Sequence, residues 1–480
     1  MRGKFIADIS ANTFQLVVNQ CCGLGIFYVL SATLAKTDFG EINWSLAILL
    51  TLFGILQCGV DQVSVKRVAS GNAPEKILSI YISHVLLWGT LLYLLLLIAR
   101  IIFPSFFELH VFLLLLAIAK LMIFFSTPFK QLALGMEKFR ALLFMNTCSN
   151  VMRSIVLIVL LLMNKLNVSS VIIVFIVGDL LELLTCILMT EVVLKVPAKI
   201  SWDRPGYMNL LKESMPQLGV GIFTSILSRF DWIYLGLMGT IIVAEYSFAY
   251  KVFEMATLPM LVIAPLLIPR FTRMFKKDNS GTNFKTEKIL LLLRIEMIIA
   301  SFTALVLNIL WTPVIDLLTS GKYGAVNQKS ILILSASMPF LYLNNFLWTI
   351  NFAIGKLRMI FYNYAVTVCI NIIADCVLIP LFKAEGAAAG FLIAIIGQSV
   401  FYLFSTTVQG IQKTAISVVL CPALAFGAGY FSMTYLPGLF WPLLASTSAF
   451  FILLIITGQL RRNDWHHMVG ILGFQGNPSN

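Results

Sequence analysis

Long apolar runs separated by short polar connections account for nearly the whole chain. The runs fall at residues 11–33, 44–63, 77–103, 109–126, 141–163, 168–192, 214–238, 242–269, 288–312, 329–353, 360–382, 386–408, 413–433 and 438–458. Each is about 18–25 residues long, the length at which an α-helix crosses a bilayer's hydrocarbon core. None alternates apolar with polar positions over roughly ten residues, so a β-barrel is excluded. Lipid cannot hydrogen-bond the backbone, and an unbroken apolar run therefore has to be a helix. The pattern predicts an all-α polytopic membrane protein of about fourteen transmembrane helices. No connection exceeds about 25 residues, too short for a soluble domain.

Composition agrees. Hydrophobic residues make up 59% and charged residues 12%, with mean hydropathy +0.92. That leaves too little polar surface for a soluble globule of 480 residues and far too little for a disordered chain. The net charge of +12 would suggest nucleic acid in a soluble protein. Here its distribution gives another reason. With the N-terminus inside, the inside connections and termini carry twenty-three Lys and Arg and the outside connections six. This bias places both termini in the cytoplasm and explains the charge better than nucleic acid does, so no nucleic-acid partner is expected. The first run lacks a small-residue cleavage site and is expected to stay as an anchor. The eight cysteines lie almost entirely in apolar runs without a CxxC, so they read as small buried hydrophobes. His84, His110, His466 and His467 share no metal-ligand spacing, so neither a metal nor a cofactor is expected.

Two sequence echoes indicate an internal repeat. Phe39-Gly40-Glu41-Ile42-Asn43-Trp44 follows the first run, and Val243-Ala244-Glu245-Tyr246-Ser247-Phe248 follows the seventh. Later, Gly135-Met136-Glu137-Lys138-Phe139-Arg140 leads to Asn146 as Gly355-Lys356-Leu357-Arg358 leads to Asn363. The unit is six spans, and an even number preserves orientation, so the two copies are parallel. The expected organisation is an N-lobe at 1–192, a cytoplasmic linker at 193–213 and a C-lobe at 214–408. Two extra helices follow at 409–458, then a cytoplasmic tail at 459–480.

Several short motifs, in order, carry a family resemblance over roughly residues 5–408. They are Asp38-Phe39-Gly40, Gly59-Val60-Asp61-Gln62, the amphipathic stretch 131–140, Met215-Pro216-Gln217-Leu218 and Arg229-Phe230-Asp231-Trp232-Ile233. Tyr246 with Tyr250-Lys251-Val252 follows, then Leu378-Ile379-Pro380 with Glu385-Gly386-Ala387-Ala388. With them the chain resembles the polysaccharide transporters of the O-antigen flippase type, in the multidrug/oligosaccharidyl-lipid/polysaccharide export superfamily. It departs from the pattern at Ala244-Glu245-Tyr246, where a Gly before the Tyr is commoner, and at Lys383-Ala384-Glu385, where a Gly pair is. The resemblance implies two six-helix lobes working by alternating access. It also implies transfer of an undecaprenyl-pyrophosphate-linked oligosaccharide from the cytoplasmic to the periplasmic leaflet of a bacterial inner membrane, for lipopolysaccharide biosynthesis. Membrane lipids and the polysaccharide polymerase machinery are the further partners it implies.

The ionisable residues inside the spans are the candidate chemistry. A charge at mid-membrane costs at least about 2.5–3.5 kcal/mol on insertion scales, so it must face a cavity or a partner. The mid-depth cations are Arg153, Arg229 and Lys251, the candidates for holding a pyrophosphate. Guanidinium suits the role because it donates bidentately to phosphate oxygens and stays protonated when buried. Asp179, Glu182, Asp231 and Glu254 are the acids available for coupling to an H⁺ or Na⁺ gradient or to the membrane potential, or simply for pairing with those cations. Lys251 and Glu254 are three apart on one helical face. Lys120 and Arg294 are expected to snorkel towards the cytoplasmic interface. Tyr246 and Tyr250 are candidates for stacking on sugar, and Pro259, Pro265 and Pro269 for kinking the eighth span.

Two other classes compete. A multidrug cation antiporter needs uncompensated acids, and here cations match them. A polysaccharide-assembly enzyme needs a large external loop or a catalytic pair, and the longest external loop, Thr312–Gln328, has neither. The absence of GxxxxGK[ST] excludes ATP-driven transport within this chain.

Overall fold

A computed structural model describes residues 2–260, 267, 271, 282–406 and 411–460. Among these residues every element is helical. The helices are α1 (Arg2–Thr33), α2 (Lys36–Leu56), α3 (Val60–Ala69), α4 (Pro74–Ile102), α5 (Pro104–Leu109), α6 (Val111–Gly135), α7 (Phe139–Leu162), α8 (Val168–Leu188), α9 (Arg204–Met238) and α10 (Thr240–Ala256). They continue as α11 (Thr282–Thr319), α12 (Gln328–Ile354), α13 (Leu357–Ser405), α14 (Ile411–Tyr435) and α15 (Phe440–Ile456). Nine helical segments among the described residues are long and apolar enough to cross a membrane, and shorter apolar helices accompany them. Each expected span falls on a helix, although most of 257–281, with Pro265 and Pro269, lies outside the described residues. So do His466 and His467.

Local chemistry sets the boundaries. The second span stops earlier than its hydrophobicity suggests, because Cys58 and Gly59 both take the left-handed conformation and separate α2 from α3. Gly59 is required there also for space, since a Cβ would sit 2.6 Å from Gln217. Asn167, part of a glycosylation-like triplet, is instead the N-cap of α8. Its Oδ1 accepts from Ser170 N, and Ser170 Oγ accepts from Asn167 N. Asp203 caps α9 by accepting from Gly206 N at 3.0 Å, so this helix starts ten residues before the apolar run. That bond, with Lys76 beside it, holds the Asp203 carboxyl below its ordinary range. Arg67 and then Lys66 do the same for Glu213. Both contacts stabilise the fold above the unfolded carboxylate range and fade as pH falls through the lower folded values.

The α13 helix carries two spans. It breaks at Lys383 (φ 51°, ψ −122°), in the polar stretch that separates the two apolar runs. The second half folds back tightly. A Cβ on Gly386 would lie 2.2 Å from Leu378 O, and one on Gly390 would lie 2.1 Å from Asp375 Oδ1.

The chain forms two compact units, Met1–Ala244 and Glu245–Asn480. In the first, α6 packs on α2, α3, α4 and α8, α7 packs on α1 and α8, and α9 packs on α2 and α3. The α2–α9 contact is backbone-close because of glycine, the usual means by which helices associate where lipid supplies no hydrophobic drive. Trp44 Nε1 donates to Ile233 O at 3.0 Å across a bare Gly236. In the second unit, α12 packs on α11 and α13, and α14 packs on α11 and α15.

Large apolar side chains line the outside. Ile98, Ile101, Leu162, Leu188 and Ile456 are all exposed, and the apolar window of α4 is only 11% buried. A water-soluble fold would cover such a surface, whereas lipid solvates it. The same environment corrects the reading of the cysteines. Only Cys186 and Cys421 are buried, while Cys21, Cys369 and Cys376 are exposed. An apolar run does not distinguish a lipid-facing position from a core-facing one.

Candidate functional site

In the first unit the charges collect between α6, α7 and α8. Positions 175, 178, 179 and 182 lie on one face of α8 by helical spacing, and Ser149 and Arg153 lie four apart on α7. Arg153 Nη2 is 2.5 Å from Asp179 Oδ1 and 3.5 Å from Glu182 Oε2. Lys120 Nζ approaches Asp179 Oδ2 at 3.2 Å, and Lys130 pairs with Glu182. Ser149 Oγ donates to Glu182 Oε2 at 2.5 Å and accepts from Arg153 Nη2 at 3.1 Å. Gly178 makes room, since a Cβ there would lie 2.6 Å from Arg153 Cγ. The cluster is sealed: Asp179 is 0%, Glu182 4%, Arg153 5% and Lys120 9% exposed. Three cations share two acids in a low-dielectric interior, where each charge needs its partner.

Lys120 therefore does not snorkel. Its ammonium turns inward because Asp179 offers a fixed counter-charge that the interface would not. Lys130 and Ser149 also belong to this network. The spacings Ser149–Arg153 and Asp179–Glu182 were the available signal.

Arg229 stands apart. It is half-buried on α9, and among the described residues its guanidinium lies within ion-pair distance of no carboxylate. Its Nη1 donates to Ser228 O at 3.2 Å, and its Cζ sits 4.6 Å from the centre of the Trp232 ring. The ring face partly offsets the loss of water without cancelling the charge. Asp231 is buried, and its Oδ1 accepts from Trp232 N at 2.8 Å.

In the second unit, Lys251 Nζ meets Glu254 Oε2 at 2.7 Å, the i,i+3 pair that the spacing predicted. Tyr246 is fully buried, with its ring 5.9 Å from that of Tyr250. A sugar cannot reach Tyr246 in this arrangement. Among the described residues no three His, Cys, Asp or Glu side chains are placed to hold a metal ion.

Helices with lipid-facing exteriors and charges buried inside them define a multi-pass helical membrane protein. Its fold is shared with solved transporters and flippases. The lipid II flippase MurJ in its inward closed conformation superposes with TM-score 0.73 at 16% identity, covering 94% of this chain and 98% of that one. An inward-facing MATE family multidrug resistance transporter of the MOP superfamily gives 0.65 at 13%, covering 85% and 98%. A MOP superfamily transporter from Pyrococcus furiosus, described as having a binding pocket of reverse polarity, gives 0.54 at 12%, covering 85% and 93%. No curated protein matches the sequence. The polysaccharide biosynthesis protein family matches residues 5–275, more than half of the chain. This protein belongs to that family.

Proposed function

We propose that the protein is a flippase for an undecaprenyl-pyrophosphate-linked oligosaccharide of the O-antigen type. It moves this substrate from the cytoplasmic to the periplasmic leaflet by alternating access, with both termini in the cytoplasm. The observation that carries the reading is Arg229. A half-buried guanidinium without a carboxylate partner, on a helix of a membrane bundle, calls for an anionic group to complete it. A pyrophosphate headgroup supplies that anion, and the polyprenyl tail can stay in lipid. Arg153 is already enclosed by Asp179 and Glu182, so phosphate contact in this reading rests on Arg229.

The function is tested by deletion. The lipid-linked oligosaccharide should be chemically complete and inaccessible from the periplasm in spheroplasts, and long surface polysaccharide should vanish. An incomplete oligosaccharide would point to an assembly enzyme. Normal surface glycan with accumulation of cationic dyes would point to a drug antiporter.

Orientation has its own test. In a cysteine-free background, a single cysteine at Ser320 should react with an impermeant thiol reagent in intact spheroplasts. One at Ser70, an exposed position after α3, should react only after permeabilisation. Labelling of both from the same side would reject the topology.

A further inference from the structure

A cavity of about 260 Å³ opens in the second unit between α12 and the two ends of α13, with Met260 and Leu341 on its apolar wall. Its described lining carries three carboxamides, those of Asn344, Asn345 and Gln398, together with the side chains of Trp348, Tyr364 and Tyr402. Among the described residues, no Asp, Glu, Lys, Arg or His lines it.

The carboxamides of Asn344 and Gln398 are held in place. Asn344 Nδ2 donates to Gln398 Oε1 at 2.9 Å and to Ile395 O at 3.0 Å, and Asn344 Oδ1 accepts from Ser399 Oγ at 2.8 Å. Gln398 is thereby fixed through its oxygen while its Nε2 makes no hydrogen bond to a described residue, although the side chain is only 6% exposed. The Asn345 side chain likewise makes none. Tyr402 is fully buried, and its hydroxyl makes no hydrogen bond of sound geometry. Buried polar groups of this kind are costly unless a partner completes them.

Chemistry narrows that partner. A chamber whose described lining is amide and aromatic, without charge, suits a neutral polar ring better than a pyrophosphate or a cationic drug. Carboxamides donate and accept side by side, matching neighbouring hydroxyls, and aromatic faces take the C–H face of a pyranose ring. Full burial of Tyr402 separates this cluster from an ordinary interfacial aromatic belt. At the small end of ligand-site volumes, the cavity fits one ring and not a whole oligosaccharide. Its lining comes from the later turns of α12, the first turns of α13 and the last turns of α13, so it sits at the end of the bundle marked by Lys356 and Arg358. In the proposed orientation that is the cytoplasmic end, where the substrate arrives.

We infer that this cavity seats one uncharged sugar ring of the glycan headgroup, with Asn345 and Gln398 as the hydroxyl-reading groups and Trp348 as a stacking platform. The inference rests on the flippase reading and adds to it where glycan selectivity resides.

The test uses the full chain in nanodiscs and two kinds of probe. One is bare undecaprenyl pyrophosphate. The other is the same lipid carrying a single glucose, galactose or N-acetylglucosamine. Wild type should bind at least one glycosylated lipid about tenfold more tightly than the bare one, the worth of one or two hydrogen bonds. Asn345→Ala and Gln398→Ala should each erase that margin and leave affinity for the bare lipid within about twofold. The Asn345 side chain has no partner among the described residues to lose, so its variant guards against a folding artefact, and a thermal melt checks both. A margin that survives in both variants, or that is absent from wild type for all three sugars, overturns the inference while the flippase reading stands. Failure of wild type to bind any of the four lipids overturns both.

Discussion

Arg229→Ala should abolish surface glycan export while the protein remains in the membrane at its normal level and melting temperature. The side chain makes one hydrogen bond, to the carbonyl of its own neighbour, and one ring contact, so its removal leaves no buried acid exposed to an empty partner position. What it does remove, on the proposed reading, is a bidentate contact to phosphate. Hydrogen bonds to charged groups are worth roughly 1.5–3 kcal/mol each, so losing two should weaken substrate binding by about a hundredfold or more. Arg229→Lys should restore part of the export, because an ammonium keeps the charge and loses the fork. Quantified surface polysaccharide, normalised to membrane protein, is the measurement. Full export by the Ala variant would remove Arg229 from the substrate path and with it the main support for an anionic cargo.

Arg153→Ala should fail in a different way, by loss of folded protein. Asp179 and Glu182 are sealed from solvent, and the guanidinium touches both. Removing one partner of a buried pair typically costs about 3–5 kcal/mol, a large part of a domain's whole stability. The variant should give little monodisperse protein after detergent extraction and a markedly lower melting temperature. Asp179→Ala should behave similarly. The double variant Arg153→Ala with Asp179→Ala should recover part of the loss, since the two opposite charges leave together and Lys130 still pairs with Glu182, while Lys120, deprived of Asp179, keeps the recovery incomplete. If Arg153→Ala melted like wild type and lost only transport, the network would be a substrate site and not a clamp.

Arg153 and Arg229 are equivalent by residue type and by depth in an apolar run. Their separate fates come from neighbours that are distant in sequence. Arg153 meets Asp179 because α7 and α8 pack face to face at Gly178, whereas α9 carries Arg229 against its own Trp232. The two residues make the same demand for a partner, and only the packing answers it. The amide cavity followed the same rule. Asn344, Asn345 and Gln398 were visible as polar residues in apolar spans, yet their convergence needs the fold-back of α13 at Lys383.

The sequence by itself determined the helices, their approximate ends and the class of protein. Those features depend on contiguous residues: an apolar run long enough to cross lipid must satisfy its own backbone, and a cap, a left-handed residue or a polar break stops it. The Lys251–Glu254 pair was legible for the same reason, since it lies within one helix turn. Tertiary structure alone decided which charges are closed off, that Lys120 turns inward, which cysteines meet lipid, and which glycines let α2 approach α9. Each of these depends on the rotation and offset of one helix against another. Lipid tails are as apolar as the helix faces they solvate, so hydrophobicity along the chain carries little information about that choice, and small residues and buried polar contacts make it instead.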